Sequence, residues 1–222
     1  MHEDGMASDS AEYWRRRREI TPDPGRPVVA DGDRRLALLV DVADPAVVSA
    51  YDRLADRLDD FRCLATTPPD ELHLTVKVFG GGVPDLDTDE TVTQTPIETI
   101  DETVAAIAEE VPPFEVQFPQ LNLFPDTVYA ETDADGALAE LNRRLCDCSW
   151  SGTSDRDGDN FIPHLTVGYL TSGEEYDALV DFLEANRSLS FPPTTVTELS
   201  LVAFDVTANW RSASTTLRTY SL

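Results

Sequence analysis

The tetrapeptide His-Leu-Thr-Val occurs twice, at residues 73–76 and 164–167, and the two copies hold every histidine of the chain except His2. At average residue frequencies one such tetrapeptide arises in a chain of this length with a probability of roughly one in several hundred. Chance recurrence is therefore a poor explanation, and an internal duplication a good one. Both copies lie in stretches that read as β-strands: residues 72–79 are apolar and β-branched, and residues 162–170 are similar after Pro163. Strand alternation places His73, Thr75 and Lys77 on one face and Leu74, Val76 and Val78 on the other, toward a core. In the second strand His164 and Thr166 share a face, backed by Leu165 and Val167. Each strand thus offers an imidazole and a hydroxyl about 7 Å apart. That spacing suits a small anion: the hydroxyl donates to an anionic oxygen while the imidazole reaches an oxygen that gains or loses a proton. A lone His-x-Thr is explained by the β-propensity of threonine, so the repetition is what sets this pair apart. With no Cys-x-x-Cys and no His-Glu-x-x-His, the chain lacks metal-ligand spacing, and no metal or cofactor is expected.

The order of elements also repeats. In the first half a strand (35–40), a helix (45–59) and a strand (62–66) precede the first motif. A strand (127–132), a helix (135–146) and a polar loop precede the second. Downstream, a helix (100–110) and strand (114–123) follow the first motif; a helix (174–185) and strand (195–204) follow the second, and a strand at 211–221 ends the chain. The helices rest on spacing: Val47, Val48, Tyr51, Leu54 and Leu58 fall on one helical face, as do Leu138, Leu141 and Leu145. Tyr51 and these leucines are read as core rather than ligand contacts. The connections at 80–95 and 149–160 are rich in Gly, Asp, Ser and Thr and read as exposed loops flanking the motif strands. Two α+β lobes related by a pseudo-twofold would face their motif strands across a cleft. In-line displacement at phosphorus needs an acid and a base on opposite sides, and such a fold supplies them.

With these residues in view, the chain resembles the 2H phosphoesterase superfamily, specifically the 2′-5′ RNA ligase or RNA 2′,3′-cyclic phosphodiesterase family. The likeness covers residues 34–222. It rests on PPDELHLTVKVFG (68–80) for the first motif, LNLFPDTVYA (121–130) for the strand pair before the second lobe's helix, and FIPHLTV (161–167) for the second motif. It implies a duplicated, bilobal α+β fold with two mainly antiparallel sheets, helices outside and a central cleft. It also implies metal-independent hydrolysis of a 2′,3′-cyclic phosphate to a 2′-phosphate, together with 2′-5′ RNA ligase activity. By the same resemblance His73 donates a proton to the leaving 3′ oxygen, His164 activates water, and Thr75 and Thr166 hold the non-bridging oxygens. An imidazole titrates near 6.5, so one neutral and one protonated histidine can coexist near neutrality; that supports the division of labour but not which histidine takes which role. Relatives commonly carry an arginine five residues after the second histidine, where this chain has Tyr169. Lys77 matches a basic position of the first motif and is the expected phosphate cation, with Tyr169 the other expected substrate contact.

Charge sets the conditions. Forty-two acidic residues oppose 17 basic ones, 16 arginines and the single Lys77, for a net charge of −25. Screening at about 1 M salt shortens the Debye length to roughly 3 Å and removes most of the self-repulsion, so the composition is read as adaptation to a salt-rich cytoplasm. The acids are dispersed rather than blocked, which argues against an acidic-tail or nucleic-acid-mimic role. Phosphate neutralisation by many cations is unavailable to such a surface, leaving short-range contacts and one or two local charges to bind RNA. Residues 1–33 read as a flexible N-terminal extension whose one basic run, Arg15 to Arg18, has acidic flanks. Three cysteines without framework spacing fit a reducing cytoplasm, and no stretch approaches a membrane span. The expected partners are RNA 2′,3′-cyclic phosphate ends or small cyclic nucleotides, with no membrane or DNA, and the expected state is a monomer. The competing reading, prompted by Tyr169, is a non-catalytic RNA-end or nucleotide-binding module with the same cleft; another cyclic or adenylated 2′ linkage as substrate is a third.

Overall fold

The structure, a computed structural model, describes residues 10–23, 34–79, 97–154, 156–205 and 214–222. After a short helix α1 (Ser10–Arg16), the first half runs β1 (Arg34–Asp41), α2 (Pro45–Leu58), β2 (Leu64–Thr66), β3 (His73–Val78), α3 (Ile97–Ala108), β4 (Phe114–Val116) and β5 (Leu121–Leu123). The second half runs β6 (Thr127–Glu131), α4 (Ala137–Cys146), β7 (His164–Leu170), α5 (Tyr176–Ala185), β8 (Thr194–Val196), β9 (Glu198–Asp205) and β10 (Thr215–Ser221). Local chemistry sets the ends. Asp44 caps α2 by accepting from Ala46 N at 2.8 Å, with Pro45 opening the helix where its missing N–H costs nothing.

The expected α+β architecture is present, and its pairing is antiparallel throughout the described strands. The lobe sheets are not separate. They fuse into one path, β10-β9-β1-β3-β7-β6-β5, with β2 also paired to β7. Removing the closing strand β10 leaves β9-β1-β3 facing β7-β6-β5, a mirrored order centred on β3 and β7. Those two strands meet at one registered pair, Leu74 opposite Leu165, the leucines of the two motifs. The strands expected at 114–123 and 195–204 each break in two, at Pro119 and at Thr197. Their first parts, β4 and β8, pair with each other in a separate two-stranded sheet, and their second parts, β5 and β9, pair with β6 and β1 at equivalent positions of the large sheet, β9 being further covered by β10. The expected loop at 80–95 and the start of the last strand lie outside the described residues.

Helices cover one face of the sheet. Leu36, Leu38 and Val40 of β1, Leu74 and Val76 of β3, and Leu165 and Val167 of β7 join the apolar stripes of α2, α3, α4 and α5 in one continuous core. Tyr51 sits in that core, fully buried, as the helical spacing predicts. The helices cross between halves. Tyr51 of α2 donates to Val167 O of β7, and Arg57 of α2 lies over Phe182 of α5. Reciprocally, Asn142 of α4 donates to Val76 O of β3. The opposite sheet face carries Ala37, Leu39, Val202 and Phe204 in one half and Tyr129, with Phe124, in the other.

Residues 10–23 are not a loose tail. Tyr13 of α1 is buried against Phe124, Asn122 of β5 donates to Ser10 O at 2.7 Å, and Arg17 and Arg18 pair with Glu184 of α5 at 2.7 Å. Two arginines of the basic run thus dock the segment to the second half, while Arg15 and Arg16 pair with Glu12 and Glu19 within it. Sequence reading missed this because the acidic partners lie some 165 residues away in the chain.

Candidate active site

Both motif strands carry the same irregularity. On β3, Thr75 lies opposite Leu39 and Lys77 opposite Leu38, so Val76 is an extra residue; on β7, Thr166 lies opposite Tyr129 and Gly168 opposite Val128, so Val167 is extra. Each is a β-bulge, and at each the carbonyl of the extra residue accepts from a helix side chain, Val76 O from Asn142 and Val167 O from Tyr51, the latter also from Thr67 N at 2.9 Å. Before the bulge, alternation holds. His73 and Thr75 share the face of Leu39, and His164 and Thr166 share the face of Tyr129.

The antiparallel pairing through Leu74 and Leu165 sets His73 beside Thr166 and Thr75 beside His164. Facing positions in such a pair have Cβ atoms about 5 Å apart and diagonal ones about 7–8 Å. The two imidazoles therefore lie on a diagonal with a threonine beside each, which is the span of a tetrahedral anion and its two reacting oxygens. All four predicted motif residues come together on one face.

The imidazoles are oriented alike. His73 Nδ1 lies 2.7 Å from Glu71 O, and His164 Nδ1 lies 2.8 Å from Ile162 O, in both cases the carbonyl two residues earlier. A carbonyl only accepts, so Nδ1 carries the proton and Nε2 is the nitrogen left to exchange one with a substrate. His164 also meets the rings of Phe124 and Tyr129 edge-on, at 5.1 and 5.3 Å. Its burial holds the imidazole below its ordinary pKa and Arg156 adds to this, against the opposing pull of the Ile162 carbonyl and Asp126.

Each histidine has a carboxylate opposite it on the neighbouring strand, Asp41 opposite His73 and Glu131 opposite His164. Ser200 donates to Asp41 at 2.8 Å, and Asn122 donates to Glu131 at 2.6 Å, each from the next strand outward. Superposing the repeats in sequence would have revealed this pair, since LALLVD and TVYAE end alike.

Lys77 does not sit where alternation put it. The bulge at Val76 turns its side chain to the face of Leu38, the helix-covered side. There it is 1 % exposed, with Nζ 2.6 Å from Asp157 Oδ2 and 2.8 Å from Gly152 O. Asp157 also accepts from Asn142, Ser154 N and Ser154 Oγ. Burial alone would raise this carboxyl, but these donors outweigh it and hold it below the usual carboxylate range. Lys77 therefore ties β3 to the connection before β7, through Asp157 and Gly152 O. Tyr169, five residues past His164, stays on the cleft face, 39 % exposed, as does Val78 at the equivalent place in the first half. In Lys77's equivalent place stands Gly168, where a Cβ would meet Ala65 O at 2.8 Å.

Beside the motif residues lies a cleft of about 260 Å³ whose lining includes Thr75 and His164, the rings of Tyr13, Phe124 and Phe161, and the charged residues Arg156, Lys77 and Asp157. Tyr13 and Arg156 were not singled out by the sequence read alone, and Phe124 only as part of the 121–130 segment; the three reach the site from separate segments. A larger hollow of about 580 Å³, between α2 and residues 184–191, holds none of the motif residues. Among the described residues, no three or more His, Cys, Asp or Glu side chains gather as metal ligands, and no helix is long and apolar enough to cross a membrane.

Solved structures share this architecture. TT0787 of Thermus thermophilus aligns with 18% identity and a TM-score of 0.59 over 85% of this chain and 97% of that one. Escherichia coli LigT in apo form aligns with 16% identity and a TM-score of 0.56, and its complex with 3′-AMP with 20% and 0.59, each over 86% of this chain and 98% of the other. No curated protein matches the chain. The family model described as the 2'-5' RNA ligase superfamily matches residues 50–208, which include both motifs and more than half of the sequence. The chain belongs to the 2'-5' RNA ligase superfamily.

Proposed function

We propose that this protein is a phosphodiesterase that opens RNA or nucleotide 2′,3′-cyclic phosphates to 2′-phosphates by acid-base catalysis between two histidines, a 5′-hydroxyl attacking in place of water giving a 2′-5′ linkage instead. The observation that carries this reading is the diagonal of His73 and His164, each flanked by a threonine and each with Nδ1 held by a carbonyl. Water attacks phosphorus in line with the 3′ oxygen. His164 accepts its proton at Nε2, the new P–O bond forms as the P–O3′ bond breaks, and His73 gives its Nε2 proton to the departing oxygen. Thr75 and Thr166 donate to the non-bridging oxygens as charge builds there. The depressed pKa of His164 supports its assignment as the acceptor. That LigT was crystallised with 3′-AMP and with phosphate favours a nucleotide-sized substrate. The acidic surface favours work in salt-rich solution.

The test is hydrolysis of a 2′,3′-cyclic nucleotide in molar KCl with a chelator present, the position of the product phosphate being read by NMR. Expected are a 2′-phosphate product and a loss of several orders of magnitude for His73→Ala and for His164→Ala. Undiminished turnover in either variant, or tight binding without turnover from pH 5 to 8, overturns the reading, the latter in favour of a binding module.

A further inference from the structure

A phosphodiester bound between the histidines brings a negative charge, and the expected cations do not meet it. Lys77 is neutralised by Asp157, position 169 is tyrosine, and Arg17 and Arg18 are paired with α5. Arg187 lies over Trp14 and 3.9 Å from Glu131. Arg156 differs. Lys77 and its partner Asp157 line the same cleft as Thr75, His164 and Arg156, but the Arg156 guanidinium lies over the Phe124 ring at 5.3 Å, and that ring meets His164 edge-on. The charge of Arg156 is felt by the His164 imidazole. Its ionic contact, Asp126, is 3.8 Å away, and the side chain is about half exposed, so little has to be broken for it to turn inward.

We infer that Arg156 is the anion-binding residue of this site, supplying from the loop before β7 the charge that the motif strands do not. Its neighbour in sequence explains how a loop residue can be placed well enough. Asp157 is fixed by Lys77, Asn142 and Ser154, so the chain leaves Arg156 directly into a buried anchor. Lys77 thereby acts as a positioning residue, at one remove. A guanidinium suits this place. It donates a fork of N–H groups to phosphoryl oxygens at short range, and such bonds persist where salt screens longer interactions. The substrate class follows: a compact phosphate monoanion with an accessible edge on the second-half side of the cleft.

The inference deepens the proposed function and rests on that reading for the identity of the anion, but its test separates the two. Inorganic phosphate binding by calorimetry and steady-state hydrolysis of a 2′,3′-cyclic nucleotide are measured in molar KCl for wild type, Arg156→Met and Arg156→Lys. Methionine keeps apolar cover on Phe124 and removes the charge. Expected for Arg156→Met is a rise of roughly ten- to hundredfold in both phosphate Kd and KM, with kcat changed by less than about threefold, and partial recovery in Arg156→Lys. Wild-type values in Arg156→Met, no phosphate binding by wild type, or a fall in kcat at unchanged KM overturns the assignment. Phosphate binding that depends on Arg156 in a protein that hydrolyses no cyclic nucleotide supports it while removing the hydrolytic reading.

Discussion

At the scale of single residues, the two threonines and His164 make separable demands. Thr75→Val and Thr166→Val keep the shape and remove the donors, so each is expected to lower kcat by roughly 10²-fold with the folded state intact, as measured by steady-state kinetics beside thermal melts. His164 titrates below the ordinary imidazole value, so the acidic limb of the kcat/KM profile is expected to have its midpoint under about 6.5; a limb above that value contradicts the acceptor assignment. The stability linkage has the same sign: the unfolded chain takes up the proton first, so this site's contribution is whole above about 6.5 and is lost as pH falls through the folded value. The four motif residues were legible in sequence because period-two alternation operates within three residues, and the repeat removed coincidence. Lys77 was misread because one extra residue in β3 reverses the face, and nothing in the string HLTVKV marks a bulge. Arg156 and Tyr13 were invisible for another reason: only the tertiary fold brings them to His164.

At the scale of elements, β7 depends on a missing side chain and β3 on a buried charge pair. Gly168→Ala drives a Cβ against Ala65 O, so β2 must part from β7; a loss of about 1–3 kcal/mol is expected in denaturant unfolding. Lys77→Met leaves Asp157 buried without its cation and is expected to cost about 3–5 kcal/mol, and adding Asp157→Leu is expected to return part of that. Because Asp157 titrates below the usual range, the stability it confers is present above about pH 4 and is lost as pH falls through its folded value. A Lys77→Met variant that unfolds like wild type would show the pair to be inert. Most helices and strands were readable from their spacing. The breaks at Pro119 and Thr197 were not, since each segment stays apolar and β-prone across the point where its two parts join different sheets.

At the scale of the whole molecule, a net charge of −25 makes cohesion depend on the solvent. Raising KCl from about 0.1 to about 1 M shortens the Debye length from about 10 Å to about 3 Å, and the melting temperature is expected to climb over that interval; a flat or falling trend counts against the salt-adaptation reading. The duplication has a different consequence. Helix α2, which follows β1, braces the bulge of β7, while α4, which follows β6, braces the bulge of β3. Each repeat therefore keeps part of its scaffold inside the other. A gene split near residue 125 should yield two polypeptides that are each unable to fold, yet regain a working enzyme when co-expressed. Taken singly, either repeat would present its motif strand stripped of the helix that steadies it, so the paired histidines exist only as a joint property of both.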